Sequence, residues 1–265
     1  MDAAMRTTAM PPPALAVAGG VVLDAWYALV RQVAALRAES TAGRATAAGS
    51  TGELTIAPAP GTAAGGSTHT TAPAVVVLIP GVYEPAGFMD PLRRRLEGRG
   101  HRVIAVPELG YNRRTIPDSA AAVAGRLRAL GVRGAVVVAH SKGGLIGKLL
   151  MTAYADEGLV RRMLAVSTPF EGARYSRYAP TRPLRSFHAG HPVMGSLAKN
   201  LEANARIVSV GAVVDPLIGR ATRLDGARNV VLPVVGHFRI LADPGLLAIV
   251  EDFLADPGET GEQAG

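Results

Sequence analysis

Ser141 stands in the run Ala-His-Ser-Lys-Gly-Gly, residues 139–144, directly behind the apolar stretch Ala135-Val136-Val137-Val138. Such a stretch, rich in β-branched residues, reads as a buried strand, and the small residues after it let the chain turn sharply into the helical pattern beginning at Lys142. Strand, serine, helix is the layout of a nucleophile elbow. The turn holds the hydroxyl out at the carboxyl end of a sheet, and the helix N-terminus brings free N–H groups and a positive dipole beneath it. Gly143 lets strand and helix pass closely, and Ala139 is small enough to sit behind the serine. A serine hydroxyl is a weak nucleophile, so this chemistry needs a base to take its proton and an acid to orient that base. Of the six histidines, His237 alone lies in a short loop, Gly236-His237-Phe238, right after the last expected strand. His140 belongs to the elbow and shapes its turn. Asp215 follows the expected strand Ile207 to Val210 through the turn 211–214 and is fixed by Pro216. Asp118 reads as a helix start, Asp225 as a turn residue and Asp243 as a helix cap.

The elements that must position these residues alternate regularly from Ala74 onward. Strands are expected at Val75 to Ile79, Arg102 to Val106, Ala135 to Val138, Met163 to Val166, Ile207 to Val210 and Val230 to Val235. Between them, Phe88, Leu92 and Leu96 mark one face of a helix, and Val123, Leu127 and Leu130 mark a second, opened by Pro117-Asp118-Ser119. A helix runs from Lys142 to Tyr154, and Asp243-Pro244 starts a last one through Phe253. This order predicts an α/β domain over 74–256: a minimal, mostly parallel sheet covered by helices on both faces, with the site where the strands' carboxyl ends open.

A strand followed by Ala-His-Ser-x-Gly-Gly, with Ile-Pro-Gly-Val-Tyr at 79–83, Ser-Thr-Pro-Phe-Glu-Gly-Ala at 167–173 and Val-Gly-His-Phe at 235–238, resembles the lipase and esterase branch of the α/β-hydrolase superfamily. It is similar to the small bacterial triacylglycerol lipases of that branch. The resemblance runs from about Ala74 to Phe253 and implies the α/β-hydrolase fold with a short cap. It also implies a serine, acid, histidine order along the chain, filled here by Ser141, Asp215 and His237. The N–H of Lys142, next to the nucleophile at the helix start, is one oxyanion donor. By resemblance the second lies in the loop after the first strand, where many lipases carry a histidine-glycine pair. This chain has Pro80-Gly81 instead, and Val82 is the residue whose N–H carries over. Tyr83, His140, Phe170, Arg174 and Phe238, beside these motifs, are candidate substrate-binding residues. The implied activity is cofactor-independent hydrolysis of a carboxylic ester, lipid or small molecule. An acyltransferase or amidase would use the same three residues, and a hydrolase-like domain used only for binding is the competing class.

The 265 residues suffice for one such domain and an appendage. The absence of cysteine excludes disulfides, thiolate catalysis and cysteine-ligated zinc, and no pattern points to a metal. A net charge of +7 falls wholly outside residues 1–73, which hold four basic and four acidic groups. No nucleic-acid-binding motif accompanies it, so an anionic membrane or substrate is the partner it suggests. The cap, at about 171–200, adds to this: from Gly172 to Lys199 it holds Arg174, Arg177, Arg182, Arg185 and Lys199 and no acidic residue. Asn112-Arg113-Arg114 is expected on the same rim.

Residues 1–39 read as an amphipathic helix: Val22, Trp26, Leu29, Val33 and Leu36 recur at helical spacing, with Asp24, Arg31 and Ala28 opposite. The apolar run from Ala14 to Leu23 is too short to cross a bilayer, so packing on the domain, attachment to a membrane surface or a signal or targeting role is expected in that order, and a cytoplasmic or membrane-peripheral place is favoured over secretion. Residues 40–73, dominated by Ala, Gly, Thr, Ser and Pro, read as a flexible linker, and 257–265 as a disordered tail.

Overall fold

The computed structural model describes residues 14–48, 73–173, 176–198 and 200–256. Six strands form one sheet: β1 (Val75–Ile79), β2 (Arg102–Ala105), β3 (Ala135–His140), β4 (Val160–Val166), β5 (Ile207–Val214) and β6 (Arg228–Val235). Their order is β2-β1-β3-β4-β5-β6, and every pairing is parallel. The direction of winding reverses between β1 and β3, which opens a crevice at their carboxyl ends.

Alternation along each strand divides the core in two. Val77, Ile79, Val137 and Ala139 face α3 (Ile116–Ala129), α4 (Lys142–Ala153) and the cap. Val76, Leu78, Val136 and Val138 face α2 (Asp90–Gly98) and α8 (Pro244–Ala255). β3 is buried along its whole length, as a central strand covered on both faces must be. The cap carries three short helices, α5 (Arg182–Arg185), α6 (Pro192–Ala198) and α7 (Leu201–Ala205).

Several boundaries differ from the sequence reading, β4 opening at Val160 among them. α3 opens at Ile116, because the Thr115 side chain accepts the Asp118 N–H as its cap. β5 runs on to Val214, pairing with Val235, so no turn separates it from Asp215. The first helix, α1 (Ala14–Ala48), continues nine residues into the stretch read as linker. Ala38, Glu39, Ala42, Arg44, Ala45, Ala47 and Ala48 are strong helix formers, and Gly43 is too isolated to break the run. Residues 1–13, the remainder of the linker (49–72) and the tail (257–265) lie outside the described residues.

The larger departure is the orientation of α1. Its polar residues turn inward: Asp24 and Arg31 are buried, with the small Ala35 beside them, whereas Val22, Trp26, Leu29, Val33 and Leu36 are exposed. α1 crosses the carboxyl end of the sheet from β6 to the loop after β1. From Asp24 to Ala35 it rises about 16 Å, close to the roughly 19 Å of the four strand spacings it bridges.

Candidate active site

Four strand ends deliver the site: β1 leads into Pro80-Gly81-Val82, β3 into Ser141, β5 into Asp215 and β6 into His237. Ser141 takes φ 51°, ψ −121°, a conformation that side chains rarely adopt. Its N–H donates to Val166 O at 2.8 Å, which anchors the strained turn to β4. The elbow closes only because residue 143 lacks a side chain. A Cβ there would lie 2.1 Å from Ile79 O.

His237 and Asp215 are both buried, with Nδ1 2.7 Å from Asp215 Oδ2. Asp215 Oδ1 accepts the Leu217 and Ile218 N–H groups at 2.9 and 3.0 Å. Burial pushes the Asp215 carboxyl up, but the hydrogen bond and charge of His237, helped by those two N–H groups, outweigh it and hold the pKa below the ordinary carboxylate value. A carboxylate on Nδ1 keeps the proton there and leaves Nε2 as the free base. Ser141 and His237 line one cavity of about 360 Å³, a size usual for small-molecule sites. No hydrogen bond joins the Ser141 hydroxyl to His237 among the described residues; such contacts often tighten only once substrate is bound.

The backbone N–H groups of Val82 and Lys142 are likewise without a hydrogen-bond partner among the described residues. The Val82 loop is held from several sides. Gly81 N–H donates to Glu84 Oε2 at 2.6 Å, Tyr83 N–H to Tyr111 O at 2.8 Å, and Asn112 Nδ2 to Pro80 O at 2.8 Å. Lys142 holds Asn112 in turn: its fully buried ammonium donates to the Asn112 carbonyl at 2.8 Å and to the Arg114 carbonyl. Burial lowers this amine to about 8.

The candidate substrate residues divide. Val82, Tyr83 and Phe238 line the cavity, and the Tyr83 hydroxyl donates to Thr181 Oγ1 in the cap at 2.8 Å. His140 does not reach the cavity. It is wholly buried, with Nδ1 2.8 Å from Glu84 Oε1 and Nε2 3.0 Å from His237 O. Both ring nitrogens face oxygen acceptors, an arrangement that favours the protonated imidazole. Burial disfavours that charge, but Glu84 and the His237 carbonyl prevail and raise the His140 pKa. Phe170 also turns away, into the core, where the Lys148 ammonium sits 5.8 Å from its ring. Arg174 lies outside the described residues. Asn112 is buried under the loop rather than on the rim, leaving only Arg113 and Arg114 exposed. The cap turns Ala179, Leu184 and Phe187 into the cavity and leaves Arg177, Arg182 and Arg185 exposed.

Three polar residues of this site carried no motif: Glu84, Thr181 and Asp24. Asp24 is the least expected. Its carboxylate accepts the N–H groups of His237, Phe238 and Arg239 at 2.8, 2.7 and 2.7 Å. Gly236 permits the approach, since a Cβ there would lie 2.4 Å from Asp24 Oδ1, and Gly20 permits the helix contact itself, with Val235 where its Cβ would be. Further along α1, Arg31 donates to Phe88 O and Gly87 O at 3.0 and 2.6 Å, and Gln32 to Tyr83 O at 2.5 Å. The available signal was a stripe of small and polar residues, Gly20, Asp24, Ala28, Arg31 and Ala35, at spacings of three and four.

No family model matches the sequence, and no curated protein shows significant similarity to it. Solved structures are similar to it in backbone. Aspergillus fumigatus lipase B aligns with a TM-score of 0.58 at 16% identity, over 74% of this chain and 57% of its own. Bacillus licheniformis lipase BlEst2, in its propeptide form, gives 0.55 at 16%, over 73% and 53%. The product of gene lin2722 from Listeria innocua gives 0.50 at 15%, over 69% and 94%. The parallel sheet, its crossover helices and these likenesses agree: this chain has the α/β-hydrolase fold.

Proposed function

We propose that the protein is a serine hydrolase of carboxylic esters that works through an acyl-enzyme. The observation that supports this reading is that His237, buried and 2.7 Å from Asp215, lines one cavity with the strained Ser141. Ser141 Oγ attacks the ester carbonyl while His237 Nε2 takes its proton. Asp215 holds Nδ1–H and stabilises the imidazolium. The Val82 and Lys142 N–H groups receive the oxyanion; the loss of one such donor typically costs about a hundredfold in rate. His237 then protonates the leaving alcohol, and water repeats the sequence to release the acid. The largely apolar cavity lining favours an acyl group, and hence lipid or other acyl esters. Contact with an anionic membrane belongs to the same reading.

The test is labelling by a fluorophosphonate together with turnover of p-nitrophenyl esters from short to long chain. Wild type is expected to label and turn over, and Ser141→Ala to do neither, with a rate loss of about a millionfold. Labelling without ester turnover would move the reaction to amide or acyl-transfer chemistry. No labelling would leave a binding domain.

A further inference from the structure

From Ala14 to Leu36 the only polar side chains are Asp24, Tyr27, Arg31 and Gln32, and all four are buried or half-buried against the domain. What remains outside is entirely apolar over about six turns. Leu15 is 89% exposed, Val22 69%, Trp26 62% and Leu29 54%, with Val33 and Leu36 continuing the row. A helix that faced water would carry its polar residues there. This one spends them on backbone groups at 83, 87, 88 and 237–239.

We propose that the outer face of α1 seats the protein on a bilayer containing anionic phospholipid, lying in the plane of the interface. By length and composition the helix could cross a membrane. Crossing would strip Asp24, Arg31 and Gln32 from their partners and strand them in hydrocarbon, so the seat lies along the surface. A second copy of the chain is the rival occupant, because Leu15, Val22, Leu29 and Leu36 also recur at seven-residue spacing. The exposed face is wider than a helix-pair seam: Val21, Leu23 and Val30 belong to it as well. Charge favours lipid too, since the net charge is +7 and Arg113, Arg114, Arg177, Arg182 and Arg185 are exposed. The opposite side of the same helix lines the cavity, through Ala28 and Gln32. The seat stands by itself, and its consequence, that acyl chains pass from bilayer to cavity, rests on the hydrolase reading.

Trp26 is the only tryptophan in the chain and sits in the middle of this face, so its emission reports the seat directly. The full-length protein is mixed with vesicles of phosphatidylcholine, with and without phosphatidylglycerol. With phosphatidylglycerol, Trp26 emission is expected to shift to the blue and to be quenched by chain-brominated lipid. Binding is expected to weaken with salt and without the anionic lipid. The pair Val22→Glu and Leu29→Glu is expected to weaken vesicle binding by about tenfold or more, while fluorophosphonate labelling and hydrolysis of a water-soluble short ester stay at wild-type rates. Emission that ignores vesicles overturns the proposal, and so does a dimer in solution that the pair of substitutions dissociates. Trp26 insertion without labelling of Ser141 would keep the seat and remove the hydrolase reading, so the two fail separately.

Discussion

Asp24 and His237 are 213 positions apart in the chain, and the Asp24 carboxylate accepts the His237 backbone N–H at 2.8 Å. The same carboxylate takes the next two N–H groups, so the loop that presents the imidazole is tied to the first helix rather than to the sheet alone. α1 is thereby part of the site.

Asp24→Asn replaces one accepting oxygen by an NH2 group, which then faces either the His237 N–H or the N–H groups of Phe238 and Arg239. We expect kcat on a short soluble ester to fall by about ten- to a hundredfold with KM nearly unchanged, since the imidazole is displaced and the cavity is not. The pH–rate profile should shift as well. Steady-state kinetics across pH checks this, and an unchanged kcat with lowered stability would reduce Asp24 to a structural role.

The Glu84 and His140 pair makes a prediction with a definite sign. His140 is held above its ordinary value in the fold, so its contribution is complete below about pH 6.5 and is lost as pH rises through the folded value. Asp215, held below its ordinary value, contributes above about pH 4 and loses that as pH falls through the folded value. Glu84→Gln should cost about 3–5 kcal/mol near neutrality, with the gap from wild type narrowing in alkali. Thermal melts of both proteins across pH measure it.

Lys148 offers a stabilising change. Its ammonium is fully buried with no hydrogen-bond partner among the described residues, and burial lowers it from 10.5 to about 8. Between those values the unfolded chain holds a proton that the folded chain does not, so this group's contribution improves as pH rises. Lys148→Met should add about 1–3 kcal/mol below pH 8 and progressively less toward pH 10. Chemical denaturation at both ends of that range decides the matter.

The reach of Lys142 to the Val82 loop through Asn112 can be tested without touching either proposed oxyanion donor. Lys142→Met keeps the backbone N–H and removes the ties to Asn112 and Arg114. A loss of about tenfold in kcat, with slower fluorophosphonate labelling, is expected from a loosened donor. Asn112→Ala should reproduce it, and the two changes together should not add.

What the sequence determined by itself is what local signals carry. Runs of β-branched residues located all six strands, most strongly the four central ones, because a central parallel strand must be apolar on both faces. The elbow at Ser141 and the ends of β5 and β6 marked Asp215 and His237 as candidates, because strand carboxyl ends converge in this kind of sheet. Tertiary structure alone decided which face of α1 turns inward. Periodicity defines two faces, but the choice depends on backbone donors and acceptors offered by loops that are distant in sequence, and on small residues that let the helix come near them. For the same reason Glu84, His140 and Lys142 became the supports of the site. Each is ionisable and buried, and only the folded chain brings it the partner that makes such burial tolerable.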